Sequence, residues 1–361
     1  MNPKYRKAKN LFTFAPMILV TGGTGLVGAH LLMHLVESET TIRAIYREPK
    51  SIEKTKSLFK LYQKEHLFYK IDWVKADIID VPSLGIAFKN VDYVYHCAGL
   101  ISYNPNDEEL LRKVNIEGTA NIVNFCIDNK IKKLCHVSSI AALGNLASHE
   151  KHSSSKSEQV KQITEETEWN PEAAHSDYAI SKYGAEMEIW RGQQEGLNVV
   201  IVNPGVIFGA VPKLRDWNQG SGLFFSTIKK GFPFYTNGST GYIGVTDVVK
   251  IMIELMKSNI VGERFTLVAE NLTFKKVIFL IAEDLKVKKP KIEAKPWMTA
   301  IGWRLDWLVS NIFGTKRKLS KYSANSLYSS EFISNEKIKN ALNFEFQSID
   351  DVVNEVVSLQ Q

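Results

Sequence analysis

Eight residues near the N-terminus, TGGTGLVG (21–28), restrict this chain more than any other stretch. They follow the apolar run MILVTG (17–22) and precede apolar residues at helical spacing through Glu37. Glycine adopts backbone conformations that other residues avoid and lets a second backbone come close. A strand ending in such a run turns sharply into a helix whose first amides face an anion. Two registers fit, Gly23-x-Gly25-x-x-Gly28 and Gly22-x-x-Gly25-x-x-Gly28. In a strand-turn-helix context either one points to a dinucleotide pyrophosphate, held by Gly22, Thr24, Gly25, Leu26, Val27 and Gly28.

The same alternation continues downstream. TIRAIY (41–46), YKIDWVKAD (69–77), VDYVYHCAG (91–99), KKLCHVSS (132–139) and NVVIVNPG (198–205) read as strands, with helices predicted over 108–129 and 176–195. Strands this uniformly apolar are covered on both faces, which implies a parallel sheet with helical crossovers. The expected fold is α/β: a doubly wound parallel Rossmann sheet with a smaller C-terminal α/β substrate-binding region. Residues 1–16 are expected to be an N-terminal extension, disordered or a mis-assigned start. Residues 17–205 are expected to form the NAD(P)-binding domain and 206–361 mainly the substrate domain, with a helix near 246–258 packing back on the core. A polar stretch at 145–171, containing HEKHSSSKSEQ, reads as a surface loop.

Composition excludes several functions. Of 361 residues, 23% are charged and the formal net charge is +6, with no long basic run to suit a nucleic-acid groove. Cys97, Cys126 and Cys135 form no CxxC pair and lie in apolar segments, which suggests buried free thiols and a reducing cytoplasm. His149 and His152 lack the HExxH spacing of a helical zinc site, so no metal is expected. The tryptophan-rich stretch at 296–314 is interrupted by Arg304 and Asp306, which argues against a spanning helix. An amphipathic helix lining or lidding a pocket is the preferred reading there, ahead of contact with a membrane surface.

The end of the second strand indicates which dinucleotide binds. An NAD-selective site places an acidic residue about twenty positions beyond the glycines, on the ribose 2′-hydroxyl. Here Arg47 stands nineteen residues past Gly28, with Lys54 behind it. Arginine grips a 2′-phosphate through two hydrogen bonds. NADP is therefore expected, with NAD as second choice.

YAISK (178–182) places Tyr178 and Lys182 at i and i+4, on one face of a helix. With TGGTGLVG, WVKAD, YHCAGL, VNIEGT, VSSIAALG, NPGVIFG and VTDV, it makes a chain that resembles the extended short-chain dehydrogenases/reductases over roughly residues 17–355. This is the broad family of NAD-dependent epimerases and dehydratases, and the likeness is to its dihydroflavonol-4-reductase and 3β-hydroxysteroid dehydrogenase-like members. The resemblance implies a catalytic Ser139 with Tyr178 and Lys182, and Asn115 bracing the helix beside the lysine. It places Asp77 and Ile78 beside the adenine, and His96, Ala98 and Gly99 along the middle of the cofactor. Pro204 and Val206 would border the nicotinamide. The family often has arginine before that proline, where this chain has Asn203.

Such a site reduces a carbonyl or oxidises an alcohol. A lysine ammonium one turn away would lower a phenol's pKa and make tyrosine a usable acid. Leu100, Ile101, Tyr103, Phe208, Phe224 and Phe225 suggest an apolar small-molecule substrate, with Trp303 and Trp307 closing over it. Two alternatives stand beside this reading: a nucleotide-sugar epimerase or dehydratase with tightly held NAD, and a non-catalytic NADP-binding sensor. Either a monomer or a homodimer fits the sequence.

Overall fold

A computed structural model describes residues 16–38, 41–144, 162–213, 220–313 and 320–360. The expected N-terminal extension, except Pro16, lies outside these residues, as does most of the polar loop, with His149 and His152.

Seven strands form the central sheet: β1 (Met17–Thr21), β2 (Thr41–Tyr46), β3 (Ile71–Lys75), β4 (Tyr93–His96), β5 (Lys133–Val137), β6 (Val199–Pro204) and β7 (Glu263–Leu267). All pair in parallel, in the order β3-β2-β1-β4-β5-β6-β7. The order reverses between β1 and β4, and in sheets of this kind ligands bind beyond the strand ends at that reversal.

The strands read as unbroken apolar runs because neighbouring side chains enter two different cores. Ile18, Val20, Cys135 and Val137 face one side, where they meet Leu31 and Leu35 of helix Leu26–Leu35 and Val248, Met252 and Leu255 of helix Val245–Lys257. Leu19, Leu134, Val199 and Ile201 face the other, against Ile122 and Cys126 of helix Gly118–Asp128 and Ile189 of helix Asp177–Gln194. Lys133 Nζ donates to the carbonyls of Leu255 (2.6 Å) and Ser258 (2.9 Å). It thereby fixes a cation at the negative end of helix Val245–Lys257. The three cysteines are free thiols.

Beyond β6 the chain enters a second, three-stranded sheet. Val206–Phe208 pairs in parallel with Ser239–Gly244, which pairs antiparallel with Glu270–Thr273. Phe208, Phe225, Tyr242, Val277, Val353 and Val356 form a separate core beneath it. Phe208 and Phe225 are fully packed there, so of the expected substrate-lining aromatics they serve the core instead. Among the described residues, no helix is long and apolar enough to cross a membrane.

Candidate active site

The turn after β1 bears on both glycine registers. Gly22 has φ +68°, and a Cβ on it would stand 2.6 Å from the Ala98 amide nitrogen, so the turns after β1 and β4 touch there. A Cβ on Gly28 would overlap the Gly22 carbonyl oxygen. Gly25 differs, since it is exposed and its Cβ would meet only the Gly22 oxygen, at 3.4 Å. The helix that starts there has no side-chain cap, so its first amides are left for an outside anion. Gly23 is close-packed too, since a Cβ there would lie 2.8 Å from Leu32 Cδ1 and 3.2 Å from Ala44 Cβ, and Thr24, Leu26 and Val27 lie half-buried between the glycines. Thr55, which the motif reading passed over, donates from its buried hydroxyl to the Gly23 carbonyl (3.0 Å) and pins the turn from below.

Past β2, Arg43 is occupied by Asp72 (2.8 Å) and by the carbonyls of Ala87 and Lys89. Among the described residues Arg47 reaches Asp77 at 4.0 Å, and its side chain is 68% exposed. Lys54 is also exposed, on helix Pro49–Leu61. Asp77 accepts from the Ile79 amide, while Ile78 is buried and its carbonyl accepts from Asn121. The residues around the turn and strand end therefore fit a dinucleotide: a bare helix terminus for the pyrophosphate, and two solvent-facing cations nearby.

A directed chain of hydrogen bonds links this turn to the helix carrying Tyr178. The Ala98 amide donates to Thr21 Oγ1 (3.2 Å), and Thr21 Oγ1 lies 2.7 Å from His96 Nδ1. His96 Nε2 lies 3.0 Å from Thr119 Oγ1, whose own proton goes to the Asn115 carbonyl (2.6 Å). Thr119 therefore accepts from Nε2–H, and Nδ1 accepts from Thr21. Asn115 Oδ1 accepts from the Leu100 amide (2.7 Å), and its Nδ2 donates to the Leu100 carbonyl (3.0 Å) and Ser181 Oγ (2.9 Å). Asn115 lies in a π-helical stretch, Arg112–Glu117, inside the expected long helix. Such wide turns recur at functional sites. His96 is wholly buried with both ring nitrogens engaged, so it braces the β4 turn and does not itself present a surface to a ligand.

This bracing requires a neutral ring. Burial, reinforced by the charge of Lys182, lowers the His96 pKa to about 3 from 6.5. The unfolded chain takes up protons below pH 6.5 where the folded chain does not, so stability is full above 6.5 and falls as pH drops toward 3. His96 alone should cost about 2 kcal/mol at pH 5. A melting temperature that stayed flat between pH 7 and 5 would contradict this.

Tyr178 and Lys182 belong to helix Asp177–Gln194, which Ser176 caps by accepting from the Ala179 amide (3.1 Å). Tyr178, Lys182, Glu186 and Ile189 share its buried stripe, so the pair faces inward. Lys182 Nζ donates to the Val137 carbonyl (2.8 Å), at the end of the strand that leads to Ser139. Burial lowers the Lys182 pKa to about 8, with Glu186 and Cys97 pulling it back up. The Tyr178 phenol moves opposite to the sequence expectation. Burial raises its pKa, Tyr103 adds to the rise, and a hydrogen bond with Ser139 opposes it. The phenol is thus held protonated. Ser139 Oγ also accepts from the Ala141 amide (3.2 Å), which orients it. Gly99 comes close to both Asn115 and Lys182: a Cβ there would lie 3.4 Å and 3.7 Å from their polar atoms.

One turn past Lys182, buried Glu186 is held by Asn203 Nδ2 and by Arg264 Nη1 (3.3 Å). Arg264 comes from β7, where its register partner is Ile201. A guanidinium on the adjacent strand therefore stands behind the Asn203 position, and the loop beginning Pro204–Val206 leaves from a braced strand end. Glu186 closes the stretch YAISKYGAE (178–186), whereas Arg264 belongs to no motif in the sequence. A cleft of about 540 Å³ lined by Tyr62, Lys64, Asp247, Lys250 and Glu355, among others, contains none of these groups. The candidate site is placed by the convergence of reactive groups at the sheet edge.

Comparison with known proteins gives the family and the fold. A family model described as male sterility protein, an NAD-binding family, matches residues 20–261. The chain is 26% identical over 288 residues to a putative dihydroflavonol 4-reductase of Synechocystis, covering 79% of this chain and 77% of the relative. The structure of yeast methylglyoxal/isovaleraldehyde reductase complexed with NADPH superposes with a TM-score of 0.71 at 19% identity, over 95% of this chain and 97% of that one. UDP-glucose 4-epimerase from Thermotoga maritima, bound to UDP-glucose, gives 0.71 at 18% identity, over 95% and 98%.

Proposed function

Because the chain belongs to the extended short-chain dehydrogenase/reductase family and is an oxidoreductase that uses a nicotinamide cofactor, we propose that it is an NADP-dependent reductase of an apolar ketone or aldehyde. The observation that carries the reading is the meeting of Ser139, Tyr178 and Lys182 beside the turn after β4, with the phenol protonated and buried. Residues 17–205 would serve the cofactor and 206–361 mainly the substrate. Gly22–Gly28 and Arg47 would hold NADPH, which would supply the hydride. The Ser139 hydroxyl holds the carbonyl oxygen, and Tyr178 Oη gives that oxygen its proton. Lys182, whose ammonium lies one turn away, stabilises the phenolate left behind. Asn115 fixes the Leu100 backbone against the helix, so the groups meet without rearrangement.

Ile101 and Tyr103 face solvent beside the site, with the Tyr103 ring centroid 5.8 Å from that of Tyr178. This favours an apolar, aromatic-sized substrate, in keeping with the flavonoid named for the Synechocystis relative. NADP is favoured over NAD because Arg47 is exposed and only loosely paired, whereas Arg43 is fully engaged.

An assay of NADPH and NADH oxidation against aldehydes and ketones tests the proposal. NADPH should be preferred, and Arg47→Asp should reduce that preference about tenfold or more by losing a bidentate phosphate contact. Unchanged preference in the variant would remove Arg47 from the argument. Turnover of a sugar nucleotide without net cofactor oxidation would replace reduction with epimerisation.

A further inference from the structure

The helix Pro296–Phe313 is inside out. A surface helix normally turns its apolar stripe to the protein and its polar face to water. Here Trp297 is 64% exposed, Ile301 50% and Leu305 55%, and Leu308 is exposed as well. At about 100° per residue these four positions fall within roughly 80° of one another, making one outward stripe. The opposite side faces the protein: Thr299 Oγ1 lies 3.1 Å from Tyr328 Oη, Trp303 is half-buried, and Ser310 is buried. Small polar groups face inward together with Trp303, while most of the large apolar side chains face water.

The charge around the stripe is mostly basic, with Asp306 on the helix itself and Lys289 paired with Glu283 at 2.6 Å. Residues 286–305 carry six basic side chains (Lys286, Lys288, Lys289, Lys291, Lys295 and Arg304) and a single acidic one, Glu293. All five lysines are exposed. Glu293 is engaged by Lys295 at 2.8 Å. Arg304 stands within the stripe, its guanidinium 4.6 Å above the Trp303 ring. Apolar groups are also exposed just before the helix: Ile292 pairs in register with Phe234, whose ring contacts exposed Phe232 beside Lys229 and Lys230.

We propose that this face docks on an anionic lipid bilayer, lying in its surface. Tryptophan, leucine and isoleucine enter the acyl boundary, and the surrounding lysines and Arg304 meet lipid phosphates. A second copy of the chain is the poorer occupant, because two such faces would bring like charge against like. The helix that bears this face is linked to the proposed active site: helix Lys321–Ser326 packs on helix Pro296–Phe313, and its Tyr322 interacts electrostatically with Tyr103. An apolar substrate dissolved in the bilayer would then have a short path to Tyr178. The surface itself does not depend on the reductase reading.

Sedimentation of the full chain with phosphatidylcholine vesicles, with and without phosphatidylserine, tests this. The bound fraction should rise about tenfold with phosphatidylserine and fall again at high salt, and tryptophan emission should shift to the blue. Trp297→Glu combined with Ile301→Glu should abolish binding with the melting temperature unchanged. Lys288→Glu combined with Lys289→Glu should weaken binding only to the anionic vesicles. Absence of binding to either vesicle would overturn the proposal. So would a dimer that the Trp297→Glu/Ile301→Glu variant splits, or a raised KM in that variant without any vesicle binding, which would identify a self-contact or a substrate lid.

Discussion

Tyr178→Phe should lower reductive turnover by about a thousandfold while leaving NADPH affinity within about twofold of the parent, since removing a positioned acid typically costs 10²–10⁴ in rate. Only the hydroxyl is lost, and the buried ring stays packed near Tyr103. Burial raises the phenol's pKa and keeps it protonated, and Ser139 only partly opposes that rise. Lys182→Met should cost a comparable factor. With its pKa lowered to about 8, the ammonium loses its charge as pH rises through that value, and the reductive rate should fall on the alkaline side. Single-turnover measurements with NADPH and a reducible carbonyl separate chemistry from binding. A Tyr178→Phe variant keeping a tenth or more of the parent rate would mean the proton comes from elsewhere.

The parts legible in the sequence share one property: a short segment of chain determines them. The six strands from Met17 to Pro204 lie within or close to their apolar runs, because burial on both faces leaves a continuous hydrophobic signature. The glycine turn and the Tyr178–Lys182 spacing are likewise local. What escaped was set by contacts between distant segments. β7, ERFTL, opens on two charged residues and has no continuous apolar run, and pairing beside β6 makes it a strand. Arg264 meets Glu186 from seventy-eight residues away, and the chain Thr21–His96–Thr119–Asn115 joins three separate segments. The π-helical turn at Asn115 has no propensity signal, since the residues around it read as ordinary helix formers. The direction of the Tyr178 shift was misjudged for a similar reason. One turn of helix makes the lysine a neighbour, but desolvation depends on everything packed around the ring.

The glycine turn gives the other large effect, and two substitutions separate its roles. Gly22→Val should destabilise the protein by about 3 kcal/mol and lower the melting temperature by several degrees, because a β-branched residue at φ +68° is strained. Its Cβ would also press on the Ala98 amide, which is backbone and cannot swing aside. That pressure would displace Ala98, Thr21 and the hydrogen bonds leading to Asn115, so catalysis should suffer along with cofactor binding. Gly25→Ala should behave differently. Gly25 has φ −89°, which alanine accepts, and its Cβ would meet only one oxygen at ordinary van der Waals distance. Stability should stay within about 0.5 kcal/mol of the parent, as for changes that touch no packed feature. The new methyl group would nonetheless stand where the helix amides must meet a phosphate, so NADPH affinity should drop at least about tenfold. Thermal melts and cofactor titration of both variants read the two effects separately. If Gly25→Ala bound NADPH like the parent, the pyrophosphate would not lie on this helix terminus, however well the glycines match.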